Sequence, residues 1–346
     1  MNVFPELDLE RLSQTLPIQE VSPSWLKGMP VSLHVLRLDL TDLNISGNKW
    51  FKLAHNIRAA ERHGTRQLLT FGGAFSNHVY SFAHACYEAK IQSVAVIRGE
   101  ELDAQSNPML KAVSQLGTKL IFVDREEYRN KYQQDRLDLY RSQVGEFELI
   151  PEGGSNVLGV KGAEVIADLI QRDNEGFDHI YMACGTGATF AGLVRGFLNQ
   201  SSSANHRARL QGLSMFRPNS VVPKEGWLDK EVVNFIGQRS SLYELVADRR
   251  LPGYGKLTPD LMSFCNEFLE ETGILLDPVY TVKLMRYLKY LAEDGVFSEF
   301  EEPKRILAVH TGGLHGWLGF LDSGVSEGGG SIPAQLLGTI KQRLAS

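Results

Sequence analysis

The alternation of short apolar runs with longer amphipathic segments is the feature that most limits the folds open to this chain. From Gly47 onward, RQLLTF, SVAVIRG, TKLIFVD, FELI, HIYMAC, RLQGLSMF and RILAVH read as strands. The segments between them show helical periodicity; in WFKLAHNIRAAERH, Leu53, Ile57 and Ala60 share one face and Gly64 is a stop signal. Strands that alternate with helices of about 10 to 15 residues indicate βαβ units. The sequence therefore predicts an α/β fold with parallel sheets.

Other parts of the chain are less regular. The polar stretch from Glu126 to Gln143 is predicted to be helical, and two or three helices are expected to cover most of residues 223–294. The segments SSSAN (201–205) and SEGGG (326–330) are typical of surface turns. With 346 residues and no internal repeat, we expect one large α/β unit or two modest domains.

Composition narrows the function classes. The formal net charge of −5 argues against a nucleic-acid binder, because such proteins normally carry a basic face. No apolar run approaches the ~18 residues of a membrane span, and the amino terminus lacks the basic and apolar regions of a signal peptide. Three cysteines, Cys86, Cys184 and Cys265, are far apart and lack CxxC spacing. These features predict a cytoplasmic enzyme or binding protein with reduced thiols and no metal site.

Three glycine-bearing loops follow predicted strands, namely GGAFSNH (72–78), CGTGAT (184–189) and HTGG (310–313). In open α/β sheets, ligands bind beyond the carboxyl ends of the strands, where the amino termini of helices point. We therefore expect the functional site at these loops.

The loop GTGAT (185–189) suits a phosphate. Its glycines let the backbone approach an anion, its two threonines offer hydroxyl donors, and the following helix presents free N–H groups. The spacing is not that of a dinucleotide-binding or Walker loop, because the ribose-binding acid and the GK[ST] sequence are missing. A tight turn that binds nothing is an equally good interpretation of this loop alone.

Ser76 and Asn77 stand where a helix begins and are good N-cap residues. A hydroxyl and an amide at a helix N-terminus also suit a carboxylate. Taken alone, simple capping is the better interpretation, and His78 reads as a packed or surface helix residue rather than as a base.

Lys49, in SGNKWFK, is a candidate nucleophile. Most lysines are solvated surface residues. Here Gly47, Trp50 and Phe51 make an apolar setting, and Lys52 lies one turn away, so both burial and charge repulsion would lower the pKa of Lys49. A lysine with a lowered pKa is what Schiff-base chemistry requires.

A Schiff-base lysine, a phosphate cradle and a carboxylate site together predict a pocket for pyridoxal phosphate carrying an amino acid. A non-catalytic protein that binds a phosphate ligand is the alternative from another class.

The motifs GNKWFKL, GGAFSNH, PEGGSN, CGTGAT, LDPVYT and HTGG, in this order, resemble those of the 1-aminocyclopropane-1-carboxylate deaminase/D-cysteine desulfhydrase family. The resemblance covers roughly residues 30–320 and implies the tryptophan-synthase-β-like fold, with two open, mainly parallel twisted sheets flanked by helices. It also implies a large domain of residues 1–51 and 161–346, a small inserted domain of residues 52–160, and a homodimer.

The resemblance assigns roles residue by residue. Lys49 is similar to the Schiff-base lysine, Asn77 to the amide on the pyridoxal 3′-oxygen, and Ser76 to the residue on the substrate carboxylate, with His78 beside it. Tyr280 and Tyr254 are similar to two active-site tyrosines, and Thr281 to the residue that faces the pyridine nitrogen. The phosphate loop corresponds to Gly185, Thr186, Gly187, Ala188 and Thr189.

Thr281 bears on the reaction. Family members that open the cyclopropane ring have glutamate there, and desulfhydrase-like members have threonine. A carboxylate would keep the pyridine nitrogen protonated and the ring a strong electron sink, whereas a neutral hydroxyl suits expulsion of a good leaving group. The sequence therefore favours β-elimination from D-cysteine or a similar amino acid, with Lys49 as the default base and Ser76 or Tyr280 as alternatives.

Two positions depart from the family pattern. Phe75 replaces a common glutamine and Phe51 a common arginine. A branch with another substrate is therefore an open alternative, as are cyclopropane deamination, racemisation and dehydration on the same cofactor.

Overall fold

A computed structural model describes residues 12, 16–200, 208–216, 226–323 and 332–345 of the chain. The predicted surface turns at 201–205 and 326–330 lie outside the described residues. The strands are β1 (Ile18–Val21), β2 (Val31–Arg37), β3 (Gln67–Gly73), β4 (Gln92–Arg98), β5 (Lys119–Val123), β6 (Glu148–Leu149), β7 (His179–Cys184), β8 (Arg209–Ser214), β9 (Tyr243–Val246) and β10 (Lys304–His310).

Helices connect and cover these strands. They are α1 (Asn48–His63), α2 (Asn77–Ala89), α3 (Pro108–Gln115), α4 (Arg125–Arg129), α5 (Gln134–Val144), α6 (Val157–Gln171), α7 (Ala188–Asn199), α8 (Trp227–Ile236), α9 (Pro259–Thr272), α10 (Thr281–Glu293), α11 (Trp317–Ser323) and α12 (Ala334–Ala345). Within the described parts of the chain, no helix is both long and apolar enough to cross a membrane.

The strands form two sheets. One has six strands in the order β1-β2-β10-β7-β8-β9, and the other has four in the order β5-β4-β3-β6. All pairs are parallel except β1 with β2. The predicted α/β class with two mainly parallel sheets flanked by helices is confirmed. The second sheet lies wholly within the segment 52–160, and the domain boundaries themselves stay a prediction.

Most predicted elements occur where the periodicity indicates them, and two expectations need correction. The stretch from Glu126 to Gln143 is not one helix but the two short helices α4 and α5. Asp124 caps α4, which ends at Arg129, and four non-helical residues separate it from α5, which begins at Gln134. The region 223–294 contains three helices as expected, but also β9, which pairs with β8 at the sheet edge. A four-residue edge strand carries too little periodicity to be recognised.

Helices α1, α6 and α7 pack closely because glycines remove side chains at their crossings. A Cβ on Gly162 of α6 would lie 1.9 Å from the carbonyl oxygen of Phe51 on α1. On α7, a Cβ on Gly192 would lie 2.5 Å from Cβ of Ala163, and one on Gly196 would lie 2.5 Å from Cβ of Ala167. These approaches bring the first turns of α1 and α7 together.

Gly47 fixes the start of α1 against the end of β10. Its φ of +63° lies in the left-handed region, and a Cβ there would be 2.1 Å from the carbonyl oxygen of Thr311 and 2.6 Å from Cα of Gly312. The amide of Asn48 donates to the same Thr311 oxygen at 3.0 Å. Only glycine fits both the backbone angle and the space.

We expect Gly47→Ala to lower the free energy of unfolding by roughly 3 kcal/mol, from backbone strain and overpacking together. Gly64→Ala is the control for an αL glycine with open space around its Cβ position; its φ of +68° is close to that of Gly47, but its ψ is +28° where that of Gly47 is −139°. Its loss should be about 1 kcal/mol, from strain alone. Urea unfolding of the two variants measures the difference. Equal losses would show that the contact with Thr311 and Gly312 adds nothing to the strain.

Candidate active site

Lys49 lies in the first turn of α1, in the cleft at the carboxyl ends of both sheets. Its Nζ donates to Oδ1 of Asn48 at 3.3 Å, and Nδ2 of Asn48 donates to Oγ1 of Thr189 at 2.8 Å. Burial lowers the pKa of Lys49 to about 8, and the negative charge of Asp277 opposes that shift. At pH 7 roughly a tenth of the amine is therefore uncharged, far more than for an ordinary lysine, and the uncharged form is the nucleophile.

Lys52 is buried, with 1% of its surface exposed. Its Nζ donates to Oγ of Ser155 at 3.4 Å, and that hydroxyl donates to Oγ1 of Thr186 at 2.6 Å. Burial, then the charge of Lys49, holds the pKa of Lys52 well below its usual value. Among the described residues no carboxylate pairs with this amine. A buried amine among hydroxyls is set up to receive an anion.

The predicted phosphate loop lies beside these two lysines. Gly187 has a φ of +83° and precedes α7, whose first residues are Ala188 and Thr189. Oγ1 of Thr186 lies 3.4 Å from a Cβ position on Gly153, so the turn at Glu152–Gly154 borders the same space. The free N–H groups at the start of α7 and the Lys52 amine therefore face one pocket.

On the opposite side, Ser76 caps α2 and Asn77 begins it. Oγ of Ser76 accepts from the amide of Val79 at 3.3 Å, so the capping interpretation is confirmed. The Asn77 amide donates to the carbonyl of Gly313 at 3.2 Å, while its Oδ1 is buried and accepts no hydrogen bond from the described residues. Capping leaves the Ser76 hydroxyl proton and the first N–H groups of α2 available to a carboxylate.

His78 is packed in the interior, one of the two settings, packed or surface, expected for this helix residue. It is 3% exposed, and its Nε2 shares a hydrogen bond of 2.8 Å with Oγ1 of Thr70. Burial, followed by the charges of Lys49 and Lys52, holds the pKa of His78 well below its usual value, so the ring stays neutral. Its ring lies 3.6 Å from a Cβ position on Gly154, and its Nδ1 is buried without a hydrogen-bond partner among the described residues. The part of His78 in substrate binding stays a prediction.

Asp277 organises the far wall of the cleft. Its Oδ1 accepts from the amides of Val279 and Tyr280 at 3.0 and 2.8 Å. Its Oδ2 accepts from the amide of Thr281 at 2.7 Å and from the hydroxyl of Thr281. The carboxylate is fully buried and fully engaged, and it sets the start of α10.

Tyr280 lies against the phosphate loop, because a Cβ position on Gly185 is 3.2 Å from its ring and from its hydroxyl. The hydroxyls of Tyr280 and Tyr254 are 3.2 Å apart, and Tyr254 is 48% exposed at the cleft mouth. Burial, then the neighbouring Tyr254, raises the pKa of Tyr280 well above its usual value. Tyr280 therefore keeps its proton and offers a donor rather than a base.

Phe75 borders the cleft entrance. It is 47% exposed, and its ring packs on α11 so tightly that a Cβ on Gly319 would lie 2.8 Å from it. The loop that carries Ser76 thus contacts α11 through this aromatic ring, where a glutamine would present an amide. The departure makes the entrance more apolar.

The residues present fit pyridoxal phosphate. The Lys52 amine, the Ser155 and Thr186 hydroxyls and the start of α7 suit its phosphate, and Lys49 suits its aldehyde. The buried, unsatisfied Oδ1 of Asn77 marks a polar atom that the described chain leaves without a partner. Fold and site thus define an α/β protein that holds a phosphorylated carbonyl compound next to a lysine.

Comparisons with known proteins identify the family. Residues 26–312 match the pyridoxal-phosphate dependent enzymes. The chain is 32% identical over 295 residues to a putative 1-aminocyclopropane-1-carboxylate deaminase of Thermotoga maritima, covering 82% of this chain and 89% of that protein. It is 30% identical over 322 residues to a D-cysteine desulfhydrase of Serratia proteamaculans, covering 90% of this chain and 94% of that protein.

A crystal structure of an ACC deaminase homologue superposes with a TM-score of 0.72 at 27% identity, over 89% of this chain and 92% of that one. The chain belongs to the pyridoxal-phosphate dependent enzymes. Its cofactor is therefore pyridoxal phosphate, as the motifs predicted.

Three residues that the structure brings to the cleft do not stand out in the sequence. They are Lys52, which enters the sequence analysis only as a charge near Lys49, Ser155 within PEGGSN, and Asp277 within LDPVYT. The apolar flank of Lys52 and an aspartate just before a helix start were the available signals.

The three cysteines are all buried, and burial raises the pKa of each thiol, to about 12 for Cys265.

We expect Lys52→Met to separate stability from cofactor affinity. Removing a buried, unpaired amine should leave the apoprotein as stable as before or more stable. Cofactor affinity should fall about 10- to 100-fold, the worth of a charge-assisted hydrogen bond. Urea unfolding of the apoprotein and a cofactor titration measure the two effects.

Lys161→Met is the control, because Lys161 is exposed on α6. A destabilised apoprotein with unchanged cofactor affinity would mean that Lys52 is only a structural residue.

The lowered pKa of Lys49 predicts how cofactor capture depends on pH. The neutral amine forms as pH rises through about 8, so the initial capture rate should rise with pH and level off above that value. The growth of visible absorption after adding pyridoxal phosphate to the apoprotein measures this rate. A midpoint near the ordinary lysine value of about 10.4 would contradict the burial of Lys49.

Proposed function

We propose that this enzyme removes the β-substituent of a small amino acid, with D-cysteine as the model substrate. Water and D-cysteine would give pyruvate, ammonium and hydrogen sulfide. The observation that carries the proposal is the neutral, fully buried Thr281, whose hydroxyl donates to Asp277 at the end of the cleft. The curated relatives named D-cysteine desulfhydrase support it.

The proposed cofactor contacts combine the roles that the family resemblance implies with the positions of these residues. Lys49 would form the Schiff base, Asn77 would bind the ring oxygen, and Thr281 would face the ring nitrogen. The phosphate would lie on the loop Gly185, Thr186, Gly187, Ala188 and Thr189, with Lys52 and Ser155 beside it. When bound, the cofactor withdraws electrons from the α-carbon of the substrate.

The proposed substrate contacts assign a task to each side of the cleft. Ser76, Asn77 and the backbone N–H of His78, at the start of α2, bind the α-carboxylate. Lys49, whose free amine has a pKa of about 8, would take the α-proton as general base. Tyr280, whose proton is retained and whose hydroxyl touches Tyr254, gives a proton to the leaving group. Ser76 is the alternative base on the other face.

Opening of the cyclopropane ring of 1-aminocyclopropane-1-carboxylate is the second candidate. It is favoured by relatives named as putative deaminases for that substrate. Ring opening needs a strong electron sink, which a carboxylate at position 281 would support better than the neutral Thr281 hydroxyl. Racemisation or dehydration on the same cofactor remain further outcomes of the test below.

We expect the purified protein to be coloured by its cofactor and to release pyruvate from D-cysteine. The assay adds D-cysteine, L-cysteine, D-serine or 1-aminocyclopropane-1-carboxylate and measures 2-oxo acid, sulfide and the enantiomer that remains. Lys49→Ala should lose both the visible band and the activity, while Lys161→Met should keep both.

The outcomes separate the candidates. Formation of 2-oxobutyrate from the cyclopropane substrate would replace elimination by ring opening, and loss of enantiomeric purity without pyruvate would indicate a racemase. A protein that stays colourless with added pyridoxal phosphate would leave only a non-catalytic binding function.

We also propose that the enzyme works in the cytoplasm and as a homodimer. Three cysteines without disulfide partners support the first statement, and the family resemblance supports the second. Sedimentation of the holoenzyme at two concentrations tests the dimer.

A further inference from the structure

Arg98 ends β4 next to the loop that carries Ser76. In the second sheet it is in register with Gly73, the last residue of β3. Its Nη2 atom lies 3.8 Å from a Cβ position on Gly73, and Ser76 follows three residues later. The exposed guanidinium therefore lies at the carboxyl ends of the strands, as the proposed carboxylate site does, but at the end of the neighbouring strand β4.

The guanidinium of Arg98 pairs with none of the described acidic side chains around it. Among the described residues no carboxylate forms an ion pair with it; its ring contact is with Tyr128, whose centroid is 5.7 Å away. Of the nearby acids, Glu152 pairs with Lys131 at 3.2 Å, and Glu101 lies over Gly99. Counted with Glu101, these four side chains carry no net charge, but the Arg98 guanidinium itself forms no ion pair among the described residues.

Arg98 lies close enough to the cleft to act on Tyr254, whose hydroxyl contacts that of Tyr280. Burial raises the pKa of Tyr254; among the charged neighbours, Glu152 raises that pKa and Arg98 lowers it. The guanidinium is therefore within electrostatic range of the place where the leaving group would depart. Arginine presents several donors in a planar fork, which suits a carboxylate or a similar planar or tetrahedral anion.

We propose that Arg98 binds an acidic group on the substrate's side chain. The enzyme then prefers amino acids in which the thiol that leaves from the β-carbon carries a carboxylate or a similar anionic group. The inference rests on the proposed β-elimination and names its substrate class. The α-carboxylate occupies the start of α2, and the second acidic group extends along the cleft to the end of β4.

The step balances with an S-carboxymethyl substrate. The α-proton goes to Lys49, and the Cβ–S bond breaks with its electron pair leaving on sulfur. One water completes the reaction, which yields pyruvate, ammonium and mercaptoacetate. No oxidant or reductant is needed, and the departing carboxylate stays in reach of Arg98.

The experiment compares two substrates that differ in one charge. S-(carboxymethyl)cysteine carries the second carboxylate, and S-(carbamoylmethyl)cysteine has the same shape with a neutral amide. Each is supplied as the enantiomer that the holoenzyme accepts for β-chloroalanine, which serves as a reference without a second acidic group. The kcat and KM for 2-oxo acid release are measured for the unmodified enzyme, Arg98→Gln and Arg66→Gln.

Arg66 is the matched control, because it is an exposed arginine just before β3 and so lies at the amino-terminal ends of the strands, away from the cleft. We expect the unmodified enzyme to prefer the carboxymethyl substrate to the carbamoylmethyl one. Arg98→Gln should lose about 10- to 100-fold in kcat/KM for the carboxymethyl substrate, mainly through KM, and little for the other two. Arg66→Gln should change none of the three.

The results distinguish the inference from the function on which it rests. If β-chloroalanine is eliminated but the carboxymethyl and carbamoylmethyl substrates react equally well, the role of Arg98 is overturned and the β-elimination stands. An equal loss for all three substrates in Arg98→Gln would place Arg98 on the α-carboxylate or in the fold instead. No elimination from β-chloroalanine in either enantiomer would overturn the proposed function itself.

Discussion

The close approach of Gly47 to Thr311 and Gly312 is the constraint on which the site depends. The start of α1 and the end of β10 are far apart in the chain, and they meet with no room for even one methyl group. Lys49 is two residues beyond this contact, so the contact sets where its amine lies relative to the sheet. The carbonyl oxygen of Gly313, the next residue of this loop, accepts a hydrogen bond from the Asn77 amide, so the start of α2 is held against the same loop.

The burial of two amines, those of Lys49 and Lys52, explains why this site favours an anion. Lys49 and Lys52 lie one helical turn apart, and burial lowers the pKa of both. A buried pair of amines is costly unless an anion joins it. The phosphate loop supplies no carboxylate, only hydroxyls and the positive end of α7, so a phosphate is the group that relieves the cost. The buried amines thus lower the stability of the empty protein, and relief of that cost on binding adds to the affinity for the cofactor.

Sequence patterns predicted the parts of the fold that local physics controls. The helix from Asn48 to His63 has an apolar face and a glycine stop, and both appear in the structure. The same patterns failed at Glu126–Gln143, where two short polar helices bury little, and at β9, which gains its strand conformation from pairing with β8. Elements defined by a neighbour rather than by their own periodicity leave little trace in a sequence.

The sequence by itself determined the chemistry: a lysine in an apolar turn, a glycine–threonine loop before a helix, and a serine–asparagine helix start. These are short-range features, because each depends on residue type and position within one loop. Only the tertiary structure decided that Lys52 and Ser155 meet Thr186 of the predicted phosphate loop, that His78 contacts Thr70, and that Asp277 holds the start of α10. Those facts depend on which side chains meet across distant strands, and spacing along the chain carries no information about such contacts.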